Sequence, residues 1–140
     1  MANDYEAVLC DLFGTLVDDE GRAIPGALEL VRALPAHRWA IVTSCGARLA
    51  ARLVAHAGLP PPPVIVTADD VEQTKPSPAC YLAAAERLKV EPVRCLVLED
   101  SLHGVQAAQA AGMDYIRVGA RKSIASLRVT TNEDGTIALR

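Results

Sequence analysis

The sequence predicts an α/β fold in which five parallel strands form one sheet between two layers of helices. Five short apolar runs alternate along the chain with segments whose apolar residues recur every three or four positions. This alternation is typical of a parallel sheet with right-handed crossover helices on both faces. In addition, 51% of the 140 residues are hydrophobic, which is enough to bury one core. We therefore expect a three-layer α/β/α, Rossmann-like architecture.

The predicted strands are the short apolar runs, each of three or four residues. A continuous apolar run of this length is expected where both faces of a strand are buried, as in a parallel sheet. The five runs are residues 7–10, 39–42, 64–66, 95–98 and 115–118.

Four helices are predicted between these strands. The positions that we assign to the core faces of the first three are Ala27, Leu30, Val31 and Leu34, then Leu49, Leu53, Val54 and Ala57, then Leu82, Ala85 and Leu88. The fourth helix, residues 103–111, is rich in alanine and can pack closely on the sheet. Gly58 and Gly112 end the second and fourth helices.

The last part of the chain has a different pattern. Residues 127–131 and 136–139 flank the sequence Asn-Glu-Asp-Gly, in which Gly135 can supply a positive φ. This pattern predicts a C-terminal β-hairpin beside the sheet. Because no repeat, low-complexity segment or long linker divides the chain, we expect residues 1–140 to be a single core domain.

Composition and charge exclude several classes of protein. The formal net charge is -3 and the pI is about 5.6. Because no basic patch would attract nucleic acid or an acidic membrane, we expect neither as a partner. No apolar run approaches the ~20 residues of a membrane helix, and residues 1–4 are too polar for a signal peptide. We therefore expect a cytoplasmic protein.

The cysteines do not indicate a metal site. None of the four forms a C-x-x-C pair, so zinc is not expected. Cys10 and Cys95 lie inside apolar runs, where a buried cysteine acts as a small hydrophobe. Cys45 follows a predicted strand and is expected in a loop.

Polar residues cluster after the predicted strands, where ligands bind in sheets of this kind. Asp11 follows the first strand, Thr43 the second and Asp100 the fourth, while Lys75 precedes the third helix. A carboxylate can attack phosphorus and form an aspartyl-phosphate. Because carboxylate and phosphate repel each other, such a site needs a cation, and paired carboxylates are suitable ligands for Mg²⁺.

Four motifs in order resemble those of the haloacid dehalogenase superfamily. Residues 11–16 (DLFGTL) resemble its first motif, Thr43 its second, residues 75–78 (KPSP) its third and residues 99–104 (EDSLHG) its fourth. The resemblance extends from about residue 7 to residue 118. Each motif alone is weak, whereas four in order, each at or beside a predicted strand end, are specific.

The resemblance implies a Mg²⁺ site. Asp11 would be the nucleophile and a metal ligand, and the backbone carbonyl of Phe13 and the side chain of Asp100 would be further ligands. Glu99 would support the metal shell.

The resemblance also implies how a substrate is bound and cleaved. Asp11, Thr43 and Lys75 would be the catalytic residues, and Thr43, Ser44 and Lys75 would hold the phosphoryl group. The implied activity is Mg²⁺-dependent hydrolysis of a phosphorylated metabolite, such as a sugar or polyol phosphate, through an aspartyl-phosphate.

Phe13 departs from the phosphatase pattern. Phosphatases of the superfamily carry a second aspartate there, which protonates the leaving group and later activates water. Phe13 cannot do this, although its carbonyl can still bind metal. Two alternatives stay open: a haloacid dehalogenase-type hydrolase, which needs neither proton nor metal, and a catalytically weak binding protein. Asp18 or Asp19 could replace the acid, unless they are simply exposed turn residues.

The segment between the first two motifs is short. Only residues 17–24 separate Leu16 from the first helix, where relatives usually insert a helical cap domain. We therefore expect an open site, since caps exclude water and select small substrates. Such a site would admit a small phosphorylated molecule or a larger phosphoester, or take a lid from another subunit in a homo-oligomer.

Restoring the missing acid tests this interpretation of Phe13. If Phe13 alone limits a phosphatase, Phe13→Asp should raise the rate of phosphate ester hydrolysis by roughly 10²–10⁴-fold, the usual contribution of general acid–base catalysis. Steady-state kinetics on a generic aryl phosphate would measure the change. Unchanged activity would show that the residue does not limit turnover.

Overall fold

A computed structural model describes residues 3–140 and contains the predicted parallel sheet. Its strands are β1 (Ala7–Cys10), β2 (Trp39–Val42), β3 (Val64–Val66), β4 (Cys95–Glu99) and β5 (Asp114–Arg117). Their order is β3-β2-β1-β4-β5, and every neighbouring pair is parallel. The predicted α/β fold is therefore confirmed.

Four helices cover the two faces of the sheet: α1 (Ala27–Ala33), α2 (Ala47–Ala57), α3 (Ala79–Leu88) and α4 (Leu102–Ala110). Alternate residues of β1 point to opposite faces. Val8 packs in the cluster that contains α1 and α2, and Leu9 packs in the cluster that contains α3 and α4. The three-layer arrangement follows from this alternation. None of these helices combines the length and apolar content that crossing a membrane requires.

Two predicted helix faces differ from the observed ones. The face of α1 is as predicted, with Leu30 and Val31 buried. On α3, however, Leu82 is 40% exposed and Tyr81 is fully buried, so the prediction of an inward Leu82 was wrong. Leu49 on α2 is likewise 45% exposed. Adjacent helix residues point about 100° apart, and packing against the sheet, rather than side-chain hydrophobicity, selects which of them is buried.

The C-terminal hairpin is present and joins the main core. Strands β6 (Val129–Thr131) and β7 (Ile137–Leu139) are antiparallel, and Gly135 has a φ of 85°. Ile137 exchanges two backbone hydrogen bonds of 2.8 and 2.7 Å with Tyr5, just before β1. Ile137 and Leu139 pack in the same cluster as α1, so the hairpin covers part of one sheet face.

The segment between β1 and α1 is a compact loop within the described residues. Isolated bridges join Phe13 to Val17 and Val17 to Ala23, and no helix intervenes. Met1 and Ala2, part of the stretch that argued against a signal peptide, lie outside the described residues. Cys10, Cys80 and Cys95 are buried and Cys45 is half-buried, all as free thiols.

Gly26 begins α1 and permits the close contact with the segment before the hairpin. Its φ is 92°, and a Cβ at this position would lie 2.4 Å from the Cα of Ala125. Gly58 at the end of α2 has a φ of 73°, yet a Cβ there would meet nothing within 4 Å. The two glycines thus share a backbone conformation but differ in the space around them.

This difference predicts unequal effects of alanine. Gly58→Ala should lower the free energy of unfolding by about 1–2 kcal/mol, the cost of a left-handed conformation. Gly26→Ala should lower it by a further ~1–3 kcal/mol because the helix and the Ala125 backbone must move apart. Chemical denaturation measures both, and equal losses would contradict the contact.

Candidate active site

The carboxyl ends of three neighbouring strands bring the predicted site residues together. Cys10, the last residue of β1, pairs with Ile41 of β2 and with Leu98 of β4. The residues that follow therefore lie at one edge of the sheet, with Asp11 after β1, Thr43 after β2 and Glu99-Asp100 at the end of β4.

A cavity of about 330 Å³ opens at this edge. Its walls include all six residues that the sequence predicts for the site, namely Asp11, Phe13, Thr43, Ser44, Lys75 and Asp100. Thr74, Cys45, Ser101 and His103 also line it. Residues that lie as much as 92 positions apart in the chain thus share one cavity.

Lys75 is the positive centre of the site. Its Nζ lies 2.8 Å from Oδ1 of Asp11, 2.6 Å from Oε2 of Glu99 and 2.9 Å from the carbonyl oxygen of Val42. An ammonium group has three donors, so all are used. Burial opposes the charged form, yet the carboxylates of Asp11 and Glu99 hold the pKa of Lys75 above its ordinary value.

Asp11 is buried at the base of the cavity. Burial raises the pKa of its carboxyl to about 8; the charge of Lys75 lowers this pKa and that of Glu99 raises it. The hydroxyl of Thr15 lies 3.2 Å from Oδ2 of Asp11 and 3.3 Å from Oδ1 of Asp100, within hydrogen-bond distance of both. Further positive charge would therefore favour the ionised Asp11 that a nucleophile requires.

The donor set fits a divalent cation. Asp11, Glu99 and Asp100 each place one carboxylate oxygen within 4.8 Å of the others. Among residues 3–140, Lys75 is the one lysine or arginine that forms an ion pair with any of them. When all three carboxylates are ionised, negative charge is in excess, and hard oxygen ligands of this kind suit Mg²⁺.

The three carboxylates differ in the oxygens that they can offer. Both oxygens of Glu99 accept hydrogen bonds, from Lys75, Tyr81 and Ser101. Asp11 and Asp100 line the cavity and are the better candidates for metal ligands, while Glu99 lies beneath them and binds Lys75.

Gly14 allows the carboxylate of Asp100 to pack against the loop after β1. Its φ is 80°, and a Cβ at this residue would lie 2.0 Å from Oδ2 of Asp100. The loop after β1 therefore packs its backbone directly against the carboxylate of Asp100, which only glycine allows.

The chain also matches a known family. The sequence model for haloacid dehalogenase-like hydrolases matches residues 17–112. The chain belongs to this family. Its relatives include hexitol phosphatase A of Escherichia coli (strain K12), which is 43% identical over 100 residues, or 70% of this chain and 46% of that protein.

Other relatives of this haloacid dehalogenase-like chain are also phosphatases by name. The bifunctional riboflavin kinase/FMN phosphatase of Arabidopsis thaliana is 37% identical over 120 residues, or 83% of this chain and 31% of that protein. Fructose-1-phosphate phosphatase YqaB of Escherichia coli (strain K12) is 42% identical over 80 residues, or 56% of this chain and 43% of that protein. The chain thus spans less than half the length of these relatives.

Solved structures share the fold of this haloacid dehalogenase-like chain. CbbY from Rhodobacter sphaeroides in complex with phosphate superimposes with a TM-score of 0.75 at 22% identity, covering 87% of this chain and 96% of that one. A HAD family hydrolase from Deinococcus radiodurans R1 with bound phosphate and sodium has a TM-score of 0.72 at 26% identity, covering 79% of each chain.

The residues considered as replacements for the missing acid lie in a surface turn. Oδ1 of Asp18 accepts hydrogen bonds from the backbone N–H groups of Glu20 and Arg22. The hydrogen bond from Arg22 is the main reason that the pKa of Asp18 lies below its ordinary value. Asp19 is exposed and lines a neighbouring groove rather than the cavity. Both observations favour the turn interpretation.

The sequence analysis missed three residues that shape the site: Thr15, Tyr81 and Gly104. Thr15 lies inside the first motif, and its hydroxyl is near two carboxylates. Tyr81 donates its hydroxyl to Oε2 of Glu99 over 2.5 Å. Two signals were available, because a buried tyrosine needs a polar partner and a glycine within a helix often marks a close approach.

Replacing Gly104 by alanine is expected to destabilise the protein, which is the opposite of the usual effect in a helix. Glycine-to-alanine changes inside a helix usually stabilise it by up to ~1 kcal/mol. Here a Cβ would lie 1.8–2.1 Å from the carboxylate of Glu99. We expect Gly104→Ala to lower the free energy of unfolding by about 1–3 kcal/mol instead, whereas Gln106→Ala, exposed on the same helix, should change it by less than ~0.5 kcal/mol. Denaturation that shows Gly104→Ala to be stabilised would refute the contact.

Proposed function

We propose that the chain is a Mg²⁺-dependent phosphatase that forms an aspartyl-phosphate on Asp11. The observation that carries the proposal is the position of the Asp11 carboxylate, which lies 2.8 Å from the ammonium of Lys75 and within 4.8 Å of the carboxylate of Asp100 in an open cavity. A nucleophile, a fixed positive charge and a ligand set for a divalent cation are the parts that phosphoryl transfer requires.

In the first step, a carboxylate oxygen of Asp11 attacks the phosphorus and the bond from phosphorus to the leaving oxygen breaks. The leaving oxygen keeps the bonding electrons and gains a proton from solvent water, which the open cavity admits. Water then attacks the aspartyl-phosphate and the bond from phosphorus to the Asp11 oxygen breaks, which releases phosphate, returns a proton to solvent and restores Asp11. Lys75 donates to a phosphoryl oxygen during both steps, in exchange for or shared with its contact to Asp11, and offsets the charge that develops there.

Thr43 and Ser44 lie where they can bind the phosphoryl group. The hydroxyl oxygen of Thr43 accepts from the backbone N–H of Cys45 over 3.3 Å, and Oγ1 lies 3.3 Å from the sulfur of Cys45. Because sulfur is a weak acceptor, this hydroxyl can donate to a phosphoryl oxygen instead. Ser44 lines the cavity beside it.

Asp11 and Asp100 would hold Mg²⁺, with the backbone carbonyl of Phe13 as the further ligand that the family implies. When bound, the ion would supply the positive charge that lets one anion approach another. The feature that favours the metal-independent dehalogenase alternative is the aromatic Phe13 near the nucleophile. The three carboxylates disfavour this alternative, because one lysine cannot balance their charge and a buried unpaired charge is costly.

A sugar or polyol phosphate is the substrate class that we favour. Hexitol phosphatase A and fructose-1-phosphate phosphatase YqaB are named for such substrates. In this chain, Phe13 separates the cavity from a groove that contains apolar Leu49 and polar Arg52 and His56. This mixture suits the carbon skeleton and hydroxyls of such a leaving group, and the open mouth would also admit a larger phosphoester.

Replacing the nucleophile tests the proposal. Asp11→Asn should abolish Mg²⁺-dependent hydrolysis of an aryl phosphate, because the amide cannot form the intermediate. Asp114→Asn is the matched control; Asp114 begins β5, at the opposite edge of the sheet, so activity should stay within about twofold. Phosphate release with and without Mg²⁺ measures both. Full activity of Asp11→Asn would refute the mechanism, and halide release from 2-haloacids without metal would support the dehalogenase alternative.

A further inference from the structure

Tyr81 is a buried residue with a polar group that the proposed mechanism does not use. It belongs to α3, is fully buried, and does not line the cavity. Its hydroxyl nevertheless donates to Oε2 of Glu99, the same oxygen that binds Lys75. We propose that Tyr81 is a positioning residue that acts through Glu99 to keep the ammonium of Lys75 at the phosphoryl site. The inference rests on the proposed function in that Lys75 binds the phosphoryl group.

The carboxylate of Glu99 is enclosed by hydrogen-bond donors and by the backbone of α4. Its side chain is 0% exposed, Lys75 and Tyr81 bind Oε2, and Ser101 donates to Oε1 over 3.3 Å. Gly104 packs so closely that no Cβ fits between α4 and the carboxylate. A carboxylate enclosed in this way has a fixed orientation that is set by its hydrogen-bond donors.

Lys75 cannot bind a phosphoryl oxygen without exchanging a contact, because its three donors are already used. Of its three acceptors, only Asp11 lines the cavity, whereas Glu99 and the Val42 carbonyl do not. The Asp11 contact is therefore the one that a phosphoryl oxygen can replace or share. Glu99 and Val42 remain as the anchors during turnover.

The hydroxyl of Tyr81 determines how strongly Glu99 attracts this ammonium. By donating to Oε2, it takes up part of the negative charge that would otherwise act on Lys75 alone. Without it, Oε2 would have Lys75 as its sole partner, and the ammonium would move toward Glu99 and away from Asp11. Burial, followed by the charge of Glu99, raises the pKa of Tyr81 well above its ordinary value, so the donor persists.

The ring of Tyr81 supports the same arrangement. The Nζ of Lys75 lies 5.2 Å from the centroid of the ring, within the range of a cation–π contact. Tyr81→Phe keeps this ring and removes only the hydroxyl. The substitution therefore isolates the hydrogen bond to Glu99 from packing and from the ring contact.

A matched control exists elsewhere in the fold. Tyr5 is also buried, and its hydroxyl donates to a carboxylate oxygen of Asp114 over 2.6 Å. Tyr5→Phe removes the same kind of hydrogen bond at the opposite edge of the sheet. If Tyr81 served stability alone, the two substitutions would have the same effect on activity.

The kinetic experiment compares both variants in the presence of Mg²⁺. Tyr81→Phe should lower kcat/KM for an aryl phosphate about tenfold and raise the inhibition constant of inorganic phosphate by a similar factor, as expected for a hydrogen bond to a charged group. Tyr5→Phe should change both by less than about twofold, although both variants should lower the unfolding midpoint. Equal changes in the two variants, or none in Tyr81→Phe, would overturn the proposal.

A double-mutant cycle tests whether Tyr81 acts through Lys75. In a Lys75→Ala background, Tyr81→Phe should change the dissociation constant of inorganic phosphate, measured by calorimetry, by less than about twofold, because the ammonium that it positions is gone. A tenfold effect that persists in that background would show that Tyr81 acts by another route.

Crystal structures of the wild type and of Tyr81→Phe provide a readout that does not depend on turnover. In the variant, the distance from Nζ of Lys75 to Oδ1 of Asp11 should be longer than the 2.8 Å of the wild type. An unmoved ammonium would overturn the inference. If the wild type hydrolyses no phosphate ester, the proposed function fails, and this structural comparison alone decides the role of Tyr81.

Discussion

The site depends on the close approach of three carboxylates at the carboxyl ends of β1 and β4. Asp11, Glu99 and Asp100 lie within a few ångströms of one another, and Lys75 forms ion pairs with Asp11 and Glu99. Buried carboxylates are costly unless they are paired and hydrogen-bonded. This constraint explains why the hydroxyl of Thr15 is placed near two of them, and why the site has the charge of a divalent-cation site.

Small residues make that approach sterically possible. Gly14 and Gly104 each lie against a carboxylate at a distance that leaves no space for a Cβ. One belongs to the loop after β1 and the other to the first turn of α4, so the backbone itself forms the walls around Asp100 and Glu99. Glycine is thus required for steric reasons at both positions, and at Gly14 also for its positive φ.

The arrangement separates binding from proton transfer. In the proposed function, Lys75 and Thr43 would bind a phosphoryl group and the carboxylates of Asp11 and Asp100 would bind a cation, whereas Phe13 cannot provide a proton. Asp18, which follows in the chain and was considered as a replacement acid, accepts backbone hydrogen bonds within its own turn. Neither Phe13 nor Asp18 would therefore give a proton to the leaving group in the proposed reaction.

The sequence by itself determined the strands, their parallel direction and six of the residues that line the cavity, because the carboxyl ends of neighbouring parallel strands must meet at one edge of the sheet. Only the tertiary structure decided which face of α3 is buried and that Tyr81 reaches Glu99, because the rotation of a short helix is chosen by packing against the sheet. The docking of the hairpin beside Tyr5 was likewise undetermined, since a backbone pairing between residues 132 positions apart leaves no mark in local sequence.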